Sequence, residues 1–417
     1  MLTIIVKKYM YTLKLSKQRG LTLIELLIAM LIGTLLILGA TSMFIANKRV
    51  YKEVDYQGRL AENARFAMEM MTRDLRMAGF VGCAVQQEVF NRLNVLTGTA
   101  QDPRQLLSYL SKTSGGVQAN AIEGSEAGGN WLPSGSTDAA AGGTAISSPD
   151  NRTATFGVMN PVTMLNNSDG FTVRFLEDTN TNLCVDMTSV NDNLNAQAQA
   201  GAQIPGGLFI SGQIFAASDC EATNIFQLTA DAAAPGPFTL QHTAGAGVQG
   251  NNVNTLSKPY TVAIQGDCTA SPVDIHIFRA RRYFIANDLD GNPGLYRQTF
   301  DINSDMIPVN NVPMEFAERL IDGVENMQIL YGEDTTNNRV PNAYQTAVNV
   351  VNWANVVSVK LAVLFATPDE DFSAPLNADT YTLLDQVGVD PTPAVDDRRR
   401  RKVVEATVSL RNRQISL

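Results

Sequence analysis

The chain has 417 residues, enough for one large domain or two small ones with a full hydrophobic core. Its 32 basic and 41 acidic side chains give a net charge of −9, which provides no general bias toward nucleic acid. Two histidines, no recognisable nucleophile motif and no GxxxxGK phosphate loop argue against an enzyme and exclude an assembly ATPase.

A basic leader precedes a long apolar segment at the amino terminus. Residues 1–20 carry basic side chains and no acidic ones, and from Leu21 to Ala46 the only ionisable residue is Glu25. The run is long enough to span a bilayer, and its basic flank predicts that the rest of the chain is exported. A carboxylate there costs about 2.5–3.5 kcal/mol, so Glu25 is predicted to have a function. The alternatives are a plain signal anchor and a signal peptide cut after Ala40 or Ala46.

This junction resembles the type III signal of type IV pilins and type II secretion pseudopilins. The shared pattern is a basic leader that ends at Gly20, an apolar Leu21, and Glu25 five places after the glycine. The resemblance implies that a prepilin peptidase cleaves after Gly20 and that Leu21 becomes the N-methylated amino terminus. Removal of the leader takes away five basic residues and leaves 27 − 41 = −14 on the mature chain.

Apolar spacing predicts that the helix continues beyond the membrane. We expect a transmembrane or filament-core helix over 21–46 and an amphipathic helix over 47–79 that packs on a head domain. No proline lies between Leu21 and Gly79, and Gly79 suits the C′ position of a helix end. The predicted apolar stripe consists of Val50, Val54, Ala61, Ala64, Met68, Met71 and Leu75.

Residues 80–417 are predicted to form a periplasmic, β-rich globular head. Segments rich in Gly, Ala, Ser, Thr and Asn predict loop-rich insertions at about 84–206 and 230–254. One long helix followed by an antiparallel sheet with long insertions is an α+β fold. Short apolar segments predict strands at Phe171–Leu176, Gly207–Ile210, Asn224–Thr229, Phe238–Gln241, Tyr260–Gln265, Ile275–Ala286, Leu295–Phe300, Met327–Tyr331, a central Val356–Thr367, and Val403–Leu410.

Four cysteines lie outside the membrane segment, at Cys83, Cys184, Cys220 and Cys268. An oxidising compartment favours two disulfides, and the sequence leaves all three connectivities open. Free thiols are the alternative. No CxxC or Cys/His cluster indicates a metal site, and no cofactor is expected.

Two acidic loops are weak calcium candidates, with plain turns as the alternative. The first contains Asp288 and Asp290, and the second contains Glu333 and Asp334. Oxygen ligands suit calcium, but neither loop follows the EF-hand spacing. The basic run 398–402 lies beside two aspartates and is predicted to be a solvated entry to a strand, so no nucleic acid is expected.

Several blocks together resemble the PilW minor pilins of type IV pili, which are similar to the J pseudopilin of type II secretion. The blocks are RLAENARFAMEMMTRDLRMAGFVGC (59–83), SDCEATNIFQLT (218–229), ERLIDGVENMQILYGED (318–334), VVSVKLAVLFAT (356–367) and SLRNR (409–413).

The resemblance implies a subunit that joins other minor pilins in a complex that primes the pilus and remains at its tip, supporting biogenesis, adhesion or twitching motility. It implies that Glu25 pairs with an N-terminal ammonium during assembly. The expected partners are prepilin peptidase, other minor pilins, the major pilin and the inner membrane, with no small-molecule substrate. The expected location is the inner membrane, then the pilus at the cell surface. A J-like pseudopilin and a tip adhesin that binds through 84–206 remain alternatives.

Overall fold

In a computed structural model of the protein, one long helix is followed by strands that form mainly antiparallel sheets. The α+β class predicted from the sequence is confirmed. The chain divides into two compact units, Met1–Tyr56 and Gln57–Leu417. The structure describes residues 22–83, 89–93, 121–126, 163–165, 167–199, 201–202, 208–232, 237–245, 250–269, 271–288, 291–300, 316–372, 374–391 and 396–413.

Helix α1 runs from Leu23 to Met77 without interruption. Its part in the first unit is long and apolar enough to cross a membrane. The large apolar side chains of this part are exposed, for example Leu23 at 78% and Leu36 at 68%. Among the described residues of the first unit, nothing covers this apolar surface, which is long enough for a bilayer to cover it.

In the second unit, α1 packs against the sheets through one face. Four residues of the predicted stripe are buried there, from Ala64 to Leu75. The prediction of burial is wrong at Ala61, which is exposed, whereas Leu60 and Ala67 are buried. Alanine fits either face of a helix, so the sequence spacing alone did not fix this boundary of the stripe. The prediction of burial is also wrong at Val50 and Val54 of the first unit, which are both exposed.

The larger sheet has eleven strands among the described residues and is centred on β9 and β4. All its pairings are antiparallel except that of β1 with β7. Its path runs β1-β7-β6-β9-β4-β5-β8, with β10 joining β9 and β11. The strands are β1 (Val89–Asn91), β2 (Ile122–Ser125), β3 (Thr163–Met164), β4 (Gly170–Leu183), β5 (Leu194–Ala198), β6 (Ile214–Ser218), β7 (Thr223–Gln227), β8 (Phe238–Leu240), β9 (Asp274–Asn287), β10 (Pro293–Phe300) and β11 (Phe316–Asp322).

The smaller sheet has the order β13-β12-β14-β17. The predicted central strand at 356–367 is confirmed, because β14 pairs with both β12 and β17. A two-stranded sheet of β15 and β16 lies apart from this path. The bounds are β12 (Val324–Glu333), β13 (Ala343–Gln345), β14 (Val356–Ala366), β15 (Tyr381–Leu383), β16 (Gln386–Val389) and β17 (Arg401–Ser409).

The main core lies between α1 and the helix-facing sides of both sheets. Met71 and Leu75 of the helix share one buried cluster with Phe175, Tyr283 and Phe365 from three strands. Fully burying one such side chain contributes about 1.5–3 kcal/mol. The helix therefore forms part of the core of the head.

Some predictions for the insertions are wrong. The described residues of 207–210 and 260–265 are irregular, yet Phe209 and Tyr260 are buried in a second core. The segment 191–206, predicted as loop, contains β5, whose Leu194 is fully buried. Apolar side chains enter a core from irregular backbone as well as from strands, which short patterns do not distinguish.

Replacing Gly323 with alanine is expected to destabilise the head by about 2–4 kcal/mol. Gly323 joins β11 to β12 with a φ of 72°, and an added Cβ would lie 2.3 Å from the carbonyl oxygen of Ala366. Chemical denaturation of the full chain in detergent measures the change. Gly266→Ala is the matched control, because Gly266 has a φ of 81° and open space around its Cβ position. Equal effects of the two substitutions would contradict the predicted clash.

Candidate assembly site and the anchoring of the helix

Glu25 takes part in a capping box at the start of α1. The backbone N–H of Thr22 donates to Oε2 of Glu25 at 3.0 Å, and the hydroxyl of Thr22 donates to the same oxygen at 3.0 Å. In return, the N–H of Glu25 donates to Oγ1 of Thr22 at 3.3 Å. The T-x-x-E pattern thus satisfies two N–H groups that the first turn of a helix leaves unpaired.

The capping box leaves part of the Glu25 carboxylate available. Both bonds from Thr22 reach Oε2, and an ionised carboxylate accepts at about four lone-pair sites on its two oxygens. The group therefore has capacity for a cation in addition to its role at the helix start. The predicted cleavage residues Gly20 and Leu21 lie outside the described residues.

A buried acid on α1, which the sequence analysis missed, joins the helix to the larger sheet. Asp74 accepts from Nη1 of Arg281 at 2.9 Å and from the hydroxyl of Tyr283 at 2.6 Å. Burial and the neighbouring carboxylate raise the pKa of Tyr283, so the phenol stays protonated and donates. Arg281 also lies 5.1 Å from the centre of the Phe175 ring. The signal in the sequence was an aspartate between Met71 and Leu75 on the apolar face.

The end of α1 is closed by residues from distant parts of the chain. Gly79 has a φ of 75°, as predicted for a C′ residue, and its N–H donates to the carbonyl of Arg174 at 2.9 Å. The side chain of Asn412 donates to the carbonyls of Arg76 at 3.2 Å and Met77 at 3.4 Å. Asn412, a polar residue of the SLRNR block, thus caps the carboxyl end of α1.

The cysteines form two disulfides, as predicted, and the structure selects one of the three connectivities. Cys83 pairs with Cys220, and Cys184 pairs with Cys268. The first bond joins the segment after α1 to the turn between β6 and β7, across 137 residues of sequence. The second joins the end of β4 to the segment before β9. Both therefore tie segments that are far apart in sequence to the larger sheet.

The described carboxylates of the calcium candidates bind the protein itself. Asp288 pairs with Arg319 and accepts from the N–H of Asn292 at 2.8 Å, while Asp290 lies outside the described residues. Glu333 accepts from the N–H of Asn352 at 2.9 Å. Among the residues that the structure describes, no group of three His, Cys, Asp or Glu residues is arranged to hold a metal.

Asp334 organises the loop that follows β12. It accepts from the N–H groups of Thr336 at 3.0 Å, Asn338 at 3.3 Å and Arg339 at 2.6 Å. Partial desolvation acts to raise the pKa of Asp334, but the three backbone donors outweigh it and lower the pKa. Turn formation therefore accounts for this acid without a ligand.

The prediction that the basic run is a solvated entry to a strand is wrong at Arg401, whose side chain is buried. Its guanidinium donates to Glu325 at 2.6 Å and to Asp397 at 2.6 Å. The backbone of Arg399 also bonds to Asp397, at 3.1 Å. A buried charge needs such partners, and they neutralise the part of the run that could otherwise attract an anion.

Neither histidine has the surroundings of a catalytic base. Nε2 of His242 lies 2.9 Å from the carbonyl of Asp192, and burial lowers the pKa of His242. His276 is buried, and neither ring nitrogen has a hydrogen-bond partner among the described residues. Burial also lowers the pKa of His276, against the opposite effect of Asp178 and Asp274. Both rings are therefore neutral packing residues near pH 7.

Comparison with known protein families yields two matches. Residues 282–412 match the family described as Type IV Pilus-assembly protein W, PilW, and residues 15–41 match the Prokaryotic N-terminal methylation motif. The first match covers β10 to β17, and the second contains Glu25. Neither a curated protein nor a solved structure matches the chain. The two matched families are structural components of pili rather than enzymes.

Proposed function

We propose that this chain, whose family matches support a PilW-type pilin, is a low-abundance subunit that joins other minor pilins to prime a type IV pilus and stays at the pilus tip. The observation that carries the proposal is an exposed apolar helix whose first turn holds a single carboxylate, Glu25, and whose second part belongs to a folded head. A helix of this kind serves as a membrane anchor before assembly and as a filament core after it.

The proposed assembly contact is an ion pair between Glu25 and an N-terminal ammonium. Cleavage after Gly20 would make Leu21 the amino terminus, and Leu21 directly precedes Thr22, whose N–H already lies 3.0 Å from the Glu25 carboxylate. At an effective dielectric constant near 20, such a pair gains about 4 kcal/mol at contact. The partner ammonium is that of the same chain or of a neighbouring subunit, and in the second case it aligns the two subunits along the fibre.

The head has the properties of an exported domain. The mature chain carries a charge of 27 − 41 = −14 without its leader, which favours solubility. Two disulfides fit an oxidising compartment. We therefore place the head in the periplasm during export and at the cell surface after assembly.

A deletion strain complemented with the chain tests the priming role. We expect loss of the protein to reduce the number of pili per cell strongly, and immunogold labelling of an epitope-tagged protein to mark pilus ends. Normal pilus number without the protein would contradict a priming role, and label along the whole shaft would contradict tip placement. A defect in secretion of folded enzymes with normal pili would support the pseudopilin alternative.

The adhesin alternative calls for a narrower deletion than the whole of 84–206. That region contains β4, whose Val173 and Phe175 are buried in the main core, so its removal would unfold the head. Replacing only residues 127–162 with a Gly-Ser linker leaves β2 and β4 in place. We expect piliation and adhesion both to persist in this variant. Loss of adhesion with normal piliation would support the adhesin alternative.

A further inference from the structure

The two disulfides differ in exposure to solvent. Cys184 and Cys268 are only 5% and 8% exposed, whereas Cys83 and Cys220 are both exposed to solvent. Thiol–disulfide exchange requires a thiolate to reach a disulfide sulfur, so access controls its rate. A buried disulfide reacts only after the surrounding structure opens. The exposed pair is therefore open to attack in the folded protein.

The segment that carries Cys83 is held in place without the disulfide. The post-helix segment, residues 79–83, bonds to β4 through the N–H of Gly79 and through the carbonyl of Phe80, which accepts from the N–H of Leu176 at 2.8 Å. The hydroxyl of Thr223 donates to the carbonyl of Val81 at 2.8 Å. These bonds remain when the sulfur–sulfur bond opens, so the fold has no need to open with it.

The charges around Cys220 do not prevent attack by an anion. Asp219 and Glu221 flank the cysteine in sequence, and an approaching thiolate would be repelled by both. Nζ of Lys258 lies 2.7 Å from Asp219 and also contacts Glu221. One positive charge thus offsets part of the repulsion at this turn.

We propose that the Cys83–Cys220 disulfide is a thiol–disulfide exchange site of the folded protein, which reacts with a dithiol reductant, whereas Cys184–Cys268 is inert. A thiolate of the dithiol attacks one sulfur, a mixed disulfide forms, and the other cysteine leaves as a thiolate. The second thiol of the reductant then breaks the mixed disulfide. The protein gains two electrons and two protons as two thiols, and the reductant becomes a disulfide.

The test is differential alkylation of the full chain in detergent, without denaturant. Dithiothreitol serves as a small dithiol and reduced thioredoxin as a protein dithiol, and peptide mapping follows labelling of each cysteine with time. We expect Cys83 and Cys220 to be labelled at least about tenfold faster than the other two, with an unchanged circular dichroism spectrum. Reaction with dithiothreitol alone would assign the site to small dithiols, and reaction with both would assign it to protein dithiols as well.

Equal labelling rates at all four cysteines, faster labelling of Cys184 and Cys268, or labelling only with loss of the folded spectrum would overturn the proposal. The double variant Cys83→Ser, Cys220→Ser should lose the fast phase of thiol release. The rates measured on the unaltered chain decide the question even if that variant does not fold.

Discussion

Replacing Glu25 with glutamine is expected to leave leader cleavage intact and to abolish incorporation of the subunit into pili. Glutamine also completes a capping box, so the bonds with Thr22 at the helix start are retained. What is lost is the negative charge, and with it an ion pair of about 4 kcal/mol at an effective dielectric constant near 20. An uncharged side chain also lowers the free-energy cost of keeping the helix in the bilayer, by up to about 2.5–3.5 kcal/mol. Both effects favour the membrane over the fibre.

The measurement is the ratio of the subunit in sheared pili to that in inner membranes, from quantitative immunoblots. Glu69→Gln is a matched control, because Glu69 lies on the exposed face of α1 in the second unit. Wild-type incorporation of the Glu25→Gln subunit would contradict the ion pair and reduce the role of Glu25 to helix capping. Glu25→Leu, which removes the cap as well, should behave no better than the glutamine variant.

Replacing Asp74 with alanine is expected to destabilise the head by about 2–4 kcal/mol, because Arg281 keeps Glu177 as a second partner at 3.4 Å. The substitution leaves the guanidinium of Arg281 and the hydroxyl of Tyr283 facing the space from which both now donate to the carboxylate. It also removes the polar contact that fixes α1 against the larger sheet. Such a loss is a large share of the 5–15 kcal/mol that stabilises a typical domain.

Chemical denaturation followed by tryptophan fluorescence measures this change, since Trp353 packs against Tyr331 in the main core. Asp74→Asn should lose less, because an amide oxygen still accepts from the tyrosine. Glu69→Ala, five residues earlier on the exposed face, should stay within about 0.5 kcal/mol of the parent. If Asp74→Ala and Glu69→Ala proved equally mild, the proposed anchoring of the helix would be wrong.

The sequence predicts the elements of this fold better than their arrangement. The helix over Leu23–Met77 follows from its composition and the absence of proline, and β14 and β17 follow from apolar runs and alternation. The disulfide pairs do not follow, because the tertiary fold brings the segment with Cys83 to the turn between β6 and β7 that holds Cys220. Long-range pairing of strands leaves no mark in local spacing.

The burial of certain polar residues was also not predicted from the sequence. Asp74 and Arg401 belong to residue types that are usually exposed, and both are buried against partners more than 70 residues away in sequence. Tyr260 is buried in a segment without regular structure, where its hydroxyl donates to the carbonyl of Ala217 at 2.7 Å. In each case a partner brought close by the tertiary fold compensates for burial, and a single sequence does not reveal that partner.

We propose that this chain enters the pilin export and assembly route. Intact mass spectrometry of the protein extracted from inner membranes and from sheared pili tests it most directly. We expect one mature species in both fractions, which begins at Leu21 and carries one N-terminal methyl group. A chain that begins at Met1, or one cut after Ala40 or Ala46, would contradict it and leave an ordinary anchored or secreted protein.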